Sequence, residues 1–413
     1  KYCETEEDKE AIDILEFIPS KYVDIYEKSK SYQGIIDGCK AHACFAEGTL
    51  VLTSSGYKSI EEINIRDYVL THNNKYEQVI KTMRNKTNEI INLKVTGDEI
   101  KTTPNHPFYV ISKNGHKYIK KQPIRQYTQP YWKEAKLLNK DDYIGFAINQ
   151  NSKLPKQIEY SFYNNTKMTN INFNDEDFWW LIGRYIGDGW YETARKQSII
   201  YCSKKNGEFN DIVERIPKHI KYRIEEHRTS YKIITHNRDF YEFIQQFGKY
   251  AHGKFINDTI IDLPLNLLKE FLIGYISADG CIESNGITFK TVSKKLAYGI
   301  QQCVHKVYKM PCTIRIVKPK EHIIEGRKVN CKIKYNGRFK VNECKSDVNF
   351  FKEGYIWMKI KDMNCYEQEC DVYNLGVAND NSYTVQNMIV HNCGHLLLEG
   401  DIRRKIGIKR CVS

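Results

Sequence analysis

The 413-residue sequence has no long apolar run and no repeated cysteine spacing. No stretch approaches the roughly 18 consecutive apolar residues that a membrane-spanning helix needs, which argues against a helical membrane protein. Its 13 cysteines are an odd number and form neither CxxC pairs nor a cysteine–histidine finger pattern. This argues against a disulfide framework and favours a reducing, cytoplasmic compartment. The sequence begins at Lys1 without an initiator Met, a signal segment or a transit segment, so we expect a piece of a longer chain.

Basic residues outnumber acidic residues 63 to 51, and the excess is unevenly distributed. Residues 1–43 contain 6 basic and 10 acidic residues, whereas residues 174–345 contain 30 basic and 20 acidic ones. A segment that concentrates positive charge in this way is typical of a nucleic-acid-binding module. A lysine-rich, solvated surface would give the same count, so charge alone leaves both interpretations open.

The pattern of apolar residues divides the chain into segments of different texture. Apolar residues recur at helical spacing in residues 10–40, β-rich runs fill 45–147 and return in 355–390, and helices alternate with strands between them. A polar stretch around residues 151–173 reads as a linker. We therefore predict a multidomain protein in which an all-β domain (residues 44–150 and 347–392) is interrupted by a mixed α/β domain (174–346). Helical flanks are expected at 1–43 and 393–413.

The middle segment repeats itself at low similarity. Each copy has an apolar helix ending in Asp-Gly (residues 180–189 and 271–280), then a β-rich run, then a second apolar helix. Two such copies predict a pseudo-twofold unit. Small residues recur four positions apart in the first helix of each copy, a spacing that permits close helix packing: Gly183 and Gly187 in one, Gly274 and Ala278 in the other.

The two helices end in Asp188 and Asp279, where the helix dipole is negative and disfavours a carboxylate. Close packing would bring these acids together, and Mg²⁺ is the natural cation to neutralise them. Next to a basic surface, this pattern indicates metal-assisted phosphodiester hydrolysis, with one acid for each strand of a duplex. The alternative is that each Asp is only a helix-stop residue, and two equivalent copies count against it. Gly189 and Gly280 fit as the left-handed residues that follow a helix.

These two motifs resemble those of LAGLIDADG homing endonucleases, over about residues 174–345. The resemblance implies a central pair of helices, Mg²⁺ or Mn²⁺ held by Asp188 and Asp279, a long double-stranded DNA target and a monomeric enzyme. It also makes Lys254 a candidate active-site lysine, although a surface role is an equal alternative. Separately, Asn336-Gly337 within residues 332–340 predicts a type I′ hairpin.

A second set of residues lies at the ends of the β-rich segments. Cys44 can attack the carbonyl before it and form a thioester, with His106 as proton donor and Thr103 holding the scissile unit. Cys393 can then capture the acyl group. Asn392 can cyclise onto its own carbonyl and cut the chain, with His391 polarising that carbonyl.

These residues resemble the splicing blocks of inteins. The matching segments are Cys44-Phe-Ala-Glu-Gly-Thr, Thr103-Pro-Asn-His106 and His391-Asn392-Cys393. The resemblance implies a Hint β-fold, excision of the 349 residues Cys44–Asn392, ligation of Ala43 to Cys393, and host-protein (extein) fragments at 1–43 and 393–413. No cofactor is expected for splicing.

Two positions depart from the usual intein pattern. Asn374 stands where an Asp often assists the first two steps, and Asn381 stands where a His often assists cyclisation. Asparagine can form hydrogen bonds but is not a general base near neutral pH. We therefore expect slower transthioesterification, or the help of another group.

The sequence predicts autocatalytic splicing combined with site-specific cleavage of double-stranded DNA. One alternative is a splicing element with an inactive endonuclease. Another alternative is a host nucleic-acid enzyme with an inserted β domain. That alternative does not readily explain why the β-rich segments begin at a cysteine and end in His-Asn-Cys.

Overall fold

A computed structural model describes residues 43–95, 98–119, 122–204, 207–319, 321–324, 327–330, 332–341 and 348–392. The expected helical flanks, apart from Ala43, lie outside these residues, as does Cys393. Among the residues described, no helix combines the length and apolarity needed to cross a bilayer.

The first part of the chain forms ten strands, as its β-rich texture predicts. They are β1 (Phe45–Ala46), β2 (Leu50–Thr53), β3 (Gly56–Ser59), β4 (Tyr68–Leu70), β5 (Tyr76–Val95), β6 (Asp98–Thr102), β7 (Pro107–Ile119), β8 (Gln122–Tyr127), β9 (Tyr131–Glu134) and β10 (Asp142–Phe146). Two short 3₁₀ turns, Ile60–Glu62 and Ala135–Leu137, lie between them. In β6, the buried residues Asp98, Ile100 and Thr102 alternate with the more exposed Glu99 and Lys101, the period of two that a half-buried strand requires.

The segment expected to be a linker contains a small hairpin of its own. Strands β11 (Glu159–Phe162) and β12 (Asn165–Met168) pair antiparallel. The turn between them is Tyr163-Asn164, and both residues have positive φ. This turn chemistry joins the strands directly, so the segment is structured and not an extended connection.

The central unit consists of two copies of one topology. The first copy contains α1 (Glu176–Asp188), β13 (Gly189–Glu192), β14 (Gln197–Ser203), α2 (Phe209–Glu214), β15 (Tyr222–Glu226), β16 (Ser230–Thr235) and α3 (Arg238–Ile244). The second follows a 3₁₀ turn (Gln245–Phe247) and contains α4 (Asp258–Ile261), α5 (Leu265–Asp279), β17 (Gly280–Glu283), β18 (Gly286–Thr291), α6 (Lys294–Tyr308), β19 (Cys312–Val317), β20 (Glu321–Ile324), β21 (Arg327–Asn330) and β22 (Lys334–Phe339).

The two antiparallel sheets of this unit have matching strand orders, β13-β14-β16-β15 and β17-β18-β22-β19. In each sheet, the helix that ends in Asp-Gly is followed by a hairpin of two strands. The last strand of the copy pairs with the second strand of that hairpin. The β20–β21 hairpin is an addition to the second copy. The internal repeat predicted from the sequence is therefore confirmed.

The type I′ hairpin predicted at Asn336-Gly337 is wrong. Both residues lie inside the continuous strand β22, which pairs with β18 on one side and β19 on the other. Gly337 is required for packing, because a Cβ there would lie 2.0 Å from the ring of Phe289. Pairing on both edges thus outweighs the local turn preference.

The last four strands return to the first sheet. They are β23 (Phe350–Lys352), β24 (Tyr355–Val377), β25 (Ser382–Val385) and β26 (Met388–His391). Strand β24 runs antiparallel to β5 over most of its length and also pairs with β1 and β10, while β26 pairs with β25, β10 and β7. The two β-rich segments therefore form one 14-stranded sheet, into which the central unit is inserted.

A buried polar cluster joins the central unit to the 14-stranded sheet. The hydroxyl of Tyr298, on α6, hydrogen-bonds the Asp98 carboxylate, and Gln386 Nε2 donates to Asp98 Oδ1 over 3.0 Å. The Tyr57 hydroxyl lies 2.6 Å from Asn387 Oδ1 and 3.0 Å from the Tyr298 carbonyl. Burial raises the pKa of Asp98 to about 6, against the opposing effect of these hydrogen bonds.

Candidate functional sites

Helices α1 and α5 pack with their backbones in direct contact. A Cβ on Gly183 would lie 2.1 Å from the Phe271 carbonyl oxygen, and one on Gly274 would lie 2.0 Å from the Trp180 carbonyl oxygen. No larger residue fits either position without separating the helices. The small-residue spacing in the sequence therefore predicted this interface correctly.

The ends of these helices differ slightly from the predicted caps. Asp175 caps the start of α1, and its carboxylate accepts hydrogen bonds from the backbone N–H groups of Asp177 and Phe178. At the other ends, Gly189 and Gly280 have φ of −107° and −94°, so they are extended and not left-handed as predicted. They are needed for space, because a Cβ on Gly189 would lie 2.7 Å from the Tyr185 carbonyl oxygen.

Asp188 and Asp279, the last residues of α1 and α5, share one half-buried site. Burial raises the pKa of both, and the Asp279 pKa reaches about 6 because the Asp188 charge adds to the effect of burial. Two partly buried carboxylates, one of which raises the pKa of the other, create a demand for positive charge at this place.

Arg184 supplies part of that charge and forms an ion pair with Asp188. Its guanidinium is 1% exposed and lies 3.2 Å from Asp188 Oδ2 and 2.7 Å from Glu208 Oε2. It also donates to the Ser277 carbonyl of α5. The equivalent position in α5 is Tyr275, so the two halves of the site are electrostatically different.

Lys254 lies in this site and not on the surface. Its ammonium donates to the carbonyls of Tyr185 (2.8 Å) and Ile186 (2.7 Å), at the C-terminal end of α1. Only 3% of the residue is exposed, and burial lowers its pKa to about 8, opposed by the charges of Asp279 and Asp188. A cation at this position also favours the negative end of the helix dipole.

The donor set of this site fits a hard divalent cation. Such an ion would stabilise the charged forms of both carboxylates, whose pKa values are raised by burial. Mg²⁺ is commonly held by one or two carboxylates while it keeps several waters. The described residues contain no cluster of three or more His, Cys, Asp or Glu side chains that could enclose a metal ion. The site therefore suits an ion shared with an external ligand more than an all-protein cage.

A second candidate site surrounds the peptide bond between Ala43 and Cys44. The Cys44 N–H donates to Thr103 Oγ1 over 2.8 Å, and the Thr103 N–H donates back to the Cys44 carbonyl over 3.0 Å. Thr102 Oγ1 also donates to that carbonyl over 3.1 Å. Cys44 is fully buried, and these bonds hold both its N–H and its carbonyl, on the C-terminal side of the bond that it would cleave.

His106 lies between this bond and the end of β26. Its ring is fully buried, close to the backbones of both Ala43 and His391, and neither ring nitrogen makes a hydrogen bond of normal geometry. Burial lowers the His106 pKa to about 3, so the imidazole is neutral near pH 7. A neutral ring can accept a proton and then pass it on, whereas the sequence-based role was proton donor alone.

Asn374, in β24, contacts the same peptide bond from the other side. Its side-chain amide donates to the Ala43 carbonyl oxygen, and the residue is fully buried. The neighbouring Tyr383 hydroxyl donates to Asn374 Oδ1 over 2.7 Å.

At the other end of the sheet segment, His391 contacts the carbonyl of Asn392. His391 Nδ1 lies 2.7 Å from that oxygen, and Nδ1 must carry the hydrogen because a carbonyl only accepts. The Asn392 N–H donates to the Asn381 carbonyl over 2.8 Å. The side-chain amide of Asn392 is oriented so that both its oxygen and its nitrogen form hydrogen bonds. In this orientation Nδ2 donates to the Asn381 carbonyl over 2.9 Å.

The structure thus brings the predicted residues together in two groups. Asp188, Asp279 and Lys254 form one, and Cys44, Thr103, His106, Asn374, His391 and Asn392 line the two chain junctions. Sequence reasoning missed Arg184, Glu208 and Tyr383. Arg184 carried a detectable signal, because a charged residue on an otherwise apolar helix four positions before Asp188 is unusual.

Comparisons with known proteins agree with the second group. The family model described as the intein splicing domain matches residues 50–392. An ATP-dependent DNA helicase Hel308 from Thermococcus kodakarensis is 26% identical over 84% of this chain and 36% of its own length. An iron–sulfur cluster assembly SufBD family protein from Mycobacterium tuberculosis is 22% identical over 90% of this chain and 44% of its own length. This chain therefore spans less than half of either relative.

Among solved structures, I-DmoI in complex with DNA and Mn is 13% identical, covering 40% of this chain and 90% of that one with a TM-score of 0.28.

Proposed function

This chain belongs to the intein splicing domain family, and on that premise we propose that it excises residues Cys44–Asn392 and joins Ala43 to Cys393. The observation that carries the proposal is the position of His106, which lies against the backbone of Ala43 at one junction and of His391 at the other. One imidazole can therefore serve both ends of the excised segment.

The first step is attack of the Cys44 thiol on the Ala43 carbonyl carbon. A C–S bond forms, the C–N bond breaks, and the leaving amine of Cys44 needs a proton. Neutral His106 takes the thiol proton and returns it to that nitrogen, so the step is balanced without an external acid. Thr103 holds the departing N–H through its hydroxyl.

The C-terminal junction is cleaved by cyclisation of Asn392 onto its own carbonyl. The side-chain nitrogen bonds to the carbonyl carbon, the C–N bond to Cys393 breaks, and the proton lost by the amide passes to the freed amine of Cys393. That amine then displaces the thioester sulfur to form the Ala43–Cys393 peptide bond. His391 Nδ1–H polarises the carbonyl oxygen, and the Asn381 carbonyl positions the attacking amide nitrogen. Between thioester formation and this cyclisation, the thiol of Cys393 captures the acyl group. Cys393 lies outside the described residues, so this role rests on its place in the sequence.

The similarity to proteins with unrelated names also supports this proposal. A DNA helicase and an iron–sulfur assembly protein both match most of this chain over less than half of their own length. An element carried by different hosts would produce such a pattern.

Intact-mass spectrometry of the expressed chain tests the splicing proposal. We expect a 349-residue product, together with a ligated product of residues 1–43 and 393–413. The matched control is Cys44→Ala combined with Asn392→Ala, which should leave the chain at full length. A parent chain that stays at 413 residues under the same conditions would contradict the proposal.

A second activity is favoured by the pair of helices α1 and α5. We propose that Asp188 and Asp279 hold Mg²⁺ or Mn²⁺ and that the central unit cuts both strands of a long DNA site as a monomer, in the manner of LAGLIDADG homing endonucleases. When bound, such an ion would supply a nucleophilic water and stabilise the leaving oxygen. Lys254 adds a buried positive charge beside the acids, and the basic surface of residues 174–345 suits the DNA backbone.

Cleavage of a plasmid that carries the uninterrupted coding sequence, joined at codons 43 and 393, tests this second activity. We expect linear product with Mg²⁺, only nicked product with Asp188→Asn or Asp279→Asn, and none with both. No cleavage by the parent protein would favour the alternative of an inactive endonuclease. Splicing should be retained in all four proteins.

A further inference from the structure

The side-chain amide of Asn374 donates a hydrogen bond to the carbonyl oxygen of Ala43, the oxygen of the first scissile bond. This residue is 331 positions away from Ala43 and is brought to it by β24, which pairs with β1 directly after the junction. The pairing places Phe45 opposite Tyr373, so the next residue of β24 reaches back to Ala43.

The orientation of the Asn374 amide is fixed by its other end. Oδ1 accepts the Tyr383 hydroxyl over 2.7 Å and the Leu375 N–H over 2.7 Å. These two donors occupy both acceptor positions of the oxygen. Nδ2 must therefore face the Ala43 oxygen, and a rotated amide would place three donors together.

We propose that Asn374 is a catalytic residue that stabilises the oxyanion formed on Ala43 during thioester formation, with Tyr383 as a positioning residue. This inference rests on the proposed splicing function. When the Cys44 sulfur bonds to the carbonyl carbon, the Ala43 oxygen gains the electron pair of the C=O bond. It returns that pair when the C–N bond breaks. The preorganised N–H of Asn374 is directed at this charge in a site closed to water.

The geometry gives Asn374 a role that an aspartate could not fill. An ionised carboxylate at this position has no hydrogen to donate, and its second oxygen would repel the developing charge. Where the family often has an aspartate, this chain therefore has a hydrogen-bond donor, Asn374, which is not a defective base. If Asn374 acts as a donor, Asn374→Asp should slow thioester formation. If it is a base that has lost its function, the same substitution should speed thioester formation.

The experiment measures the rate of thioester formation in the full chain. With Asn392→Ala and Cys393→Ala blocking the later steps, dithiothreitol releases residues 1–43 from the thioester. We expect Asn374→Asp and Asn374→Ala to lower the release rate by about 10²-fold, as for loss of one oxyanion donor. Tyr383→Phe should lower it by about 10-fold, since the amide then loses one of its two orienting bonds.

The matched control is Asn379→Asp, an exposed asparagine that follows the same strand. It should release residues 1–43 at the parent rate. Folding is checked separately in a Cys44→Ala chain, where the Asn374 variants should retain C-terminal cleavage by Asn392. If Asn374→Asp fails that check, Asn374→Ala decides the question, because it removes the same donor without adding a charge.

An Asn374→Asp chain that releases residues 1–43 as fast as the parent, or faster, would overturn the oxyanion role while leaving splicing intact. A Tyr383→Phe chain with the parent rate would overturn the positioning role. A parent chain that releases nothing with dithiothreitol would instead remove the splicing proposal, and this inference with it.

Discussion

Asn381 holds Asn392 through its backbone carbonyl, with φ of +52°. Asparagine tolerates this left-handed conformation better than most residues, while a β-branched residue pays about 1–2 kcal/mol or more. The substitution of the usual histidine therefore removes an imidazole but keeps a well-placed acceptor.

We expect Asn381→Gly to leave C-terminal cleavage within about threefold of the parent and Asn381→Val to lower it by at least tenfold, given that conformational cost. The rate of Asn392 cyclisation in a Cys44→Ala chain measures both. Equal rates for the two variants would mean that the backbone conformation of Asn381 is unimportant.

Lys254 connects the carboxylate pair to the end of α1. Lys254→Met removes the charge and the hydrogen bonds to the Tyr185 and Ile186 carbonyls. The Tyr185 carbonyl keeps the Gly189 N–H, so the loss of about 1–3 kcal/mol for an unsatisfied buried group applies at Ile186. We expect DNA cleavage to fall by about 10²-fold or more while splicing continues. Lys269→Met, at an exposed position of α5, is the control and should cut DNA normally. Parent-level cleavage by Lys254→Met would return this lysine to a purely structural role.

At the scale of elements, the α1–α5 contact sets the position of both acids. Gly183→Ala forces a methyl group within 2.1 Å of a backbone oxygen, which cannot move without its helix. We expect a loss of stability of about 1–3 kcal/mol or more and strongly reduced DNA cleavage.

Gly253→Ala provides the comparison, because its Cβ would meet nothing nearer than the Tyr250 oxygen at 3.7 Å. Urea unfolding and plasmid cleavage should separate the two variants clearly. If Gly183→Ala unfolds at the parent urea concentration and cuts at the parent rate, the helices are not in such close contact in solution.

At the scale of the whole molecule, buried histidines make stability depend on pH. His305 in α6 is fully buried, accepts the Cys312 N–H over 3.2 Å, and has its pKa lowered to about 3 by burial. In the unfolded chain, the His305 imidazole binds a proton near pH 6.5. Its contribution to the free energy of unfolding is therefore complete above that pH and is lost progressively as the pH falls toward 3.

Between pH 7 and pH 5, His305 alone should remove about 2 kcal/mol of unfolding free energy. His305→Gln should show a weaker pH dependence by that amount in urea titrations, whatever its stability at pH 7. His252→Gln, at an exposed position, should follow the parent curve. The prediction fails if His305→Gln and the parent lose equal stability over this range.

The sequence was most informative where chemistry depends on neighbouring residues. Cys44, His106, the His391-Asn392 pair and the two Asp-Gly helices were all predicted, because each belongs to a short pattern with a local chemical meaning. The role of Asn374 was not, because it depends on a strand pairing that spans 331 residues. Asn336-Gly337 was assigned to a turn for the same reason, since only the two neighbouring strands show that it lies within a sheet.

A buried polar cluster constrains how this chain could lose its central unit. The cluster consists of Tyr57, Asp98, Tyr298, Gln386 and Asn387. Deletion of the central unit would remove the Tyr298 hydroxyl from Asp98, leaving Gln386 as its partner, and would expose the side of β3 on which Tyr57 lies. The shortened protein would therefore need compensating substitutions on the splicing side before it folded well. Packing thus ties the central unit to the 14-stranded sheet, and an engineered minimal version would have to redesign that surface first.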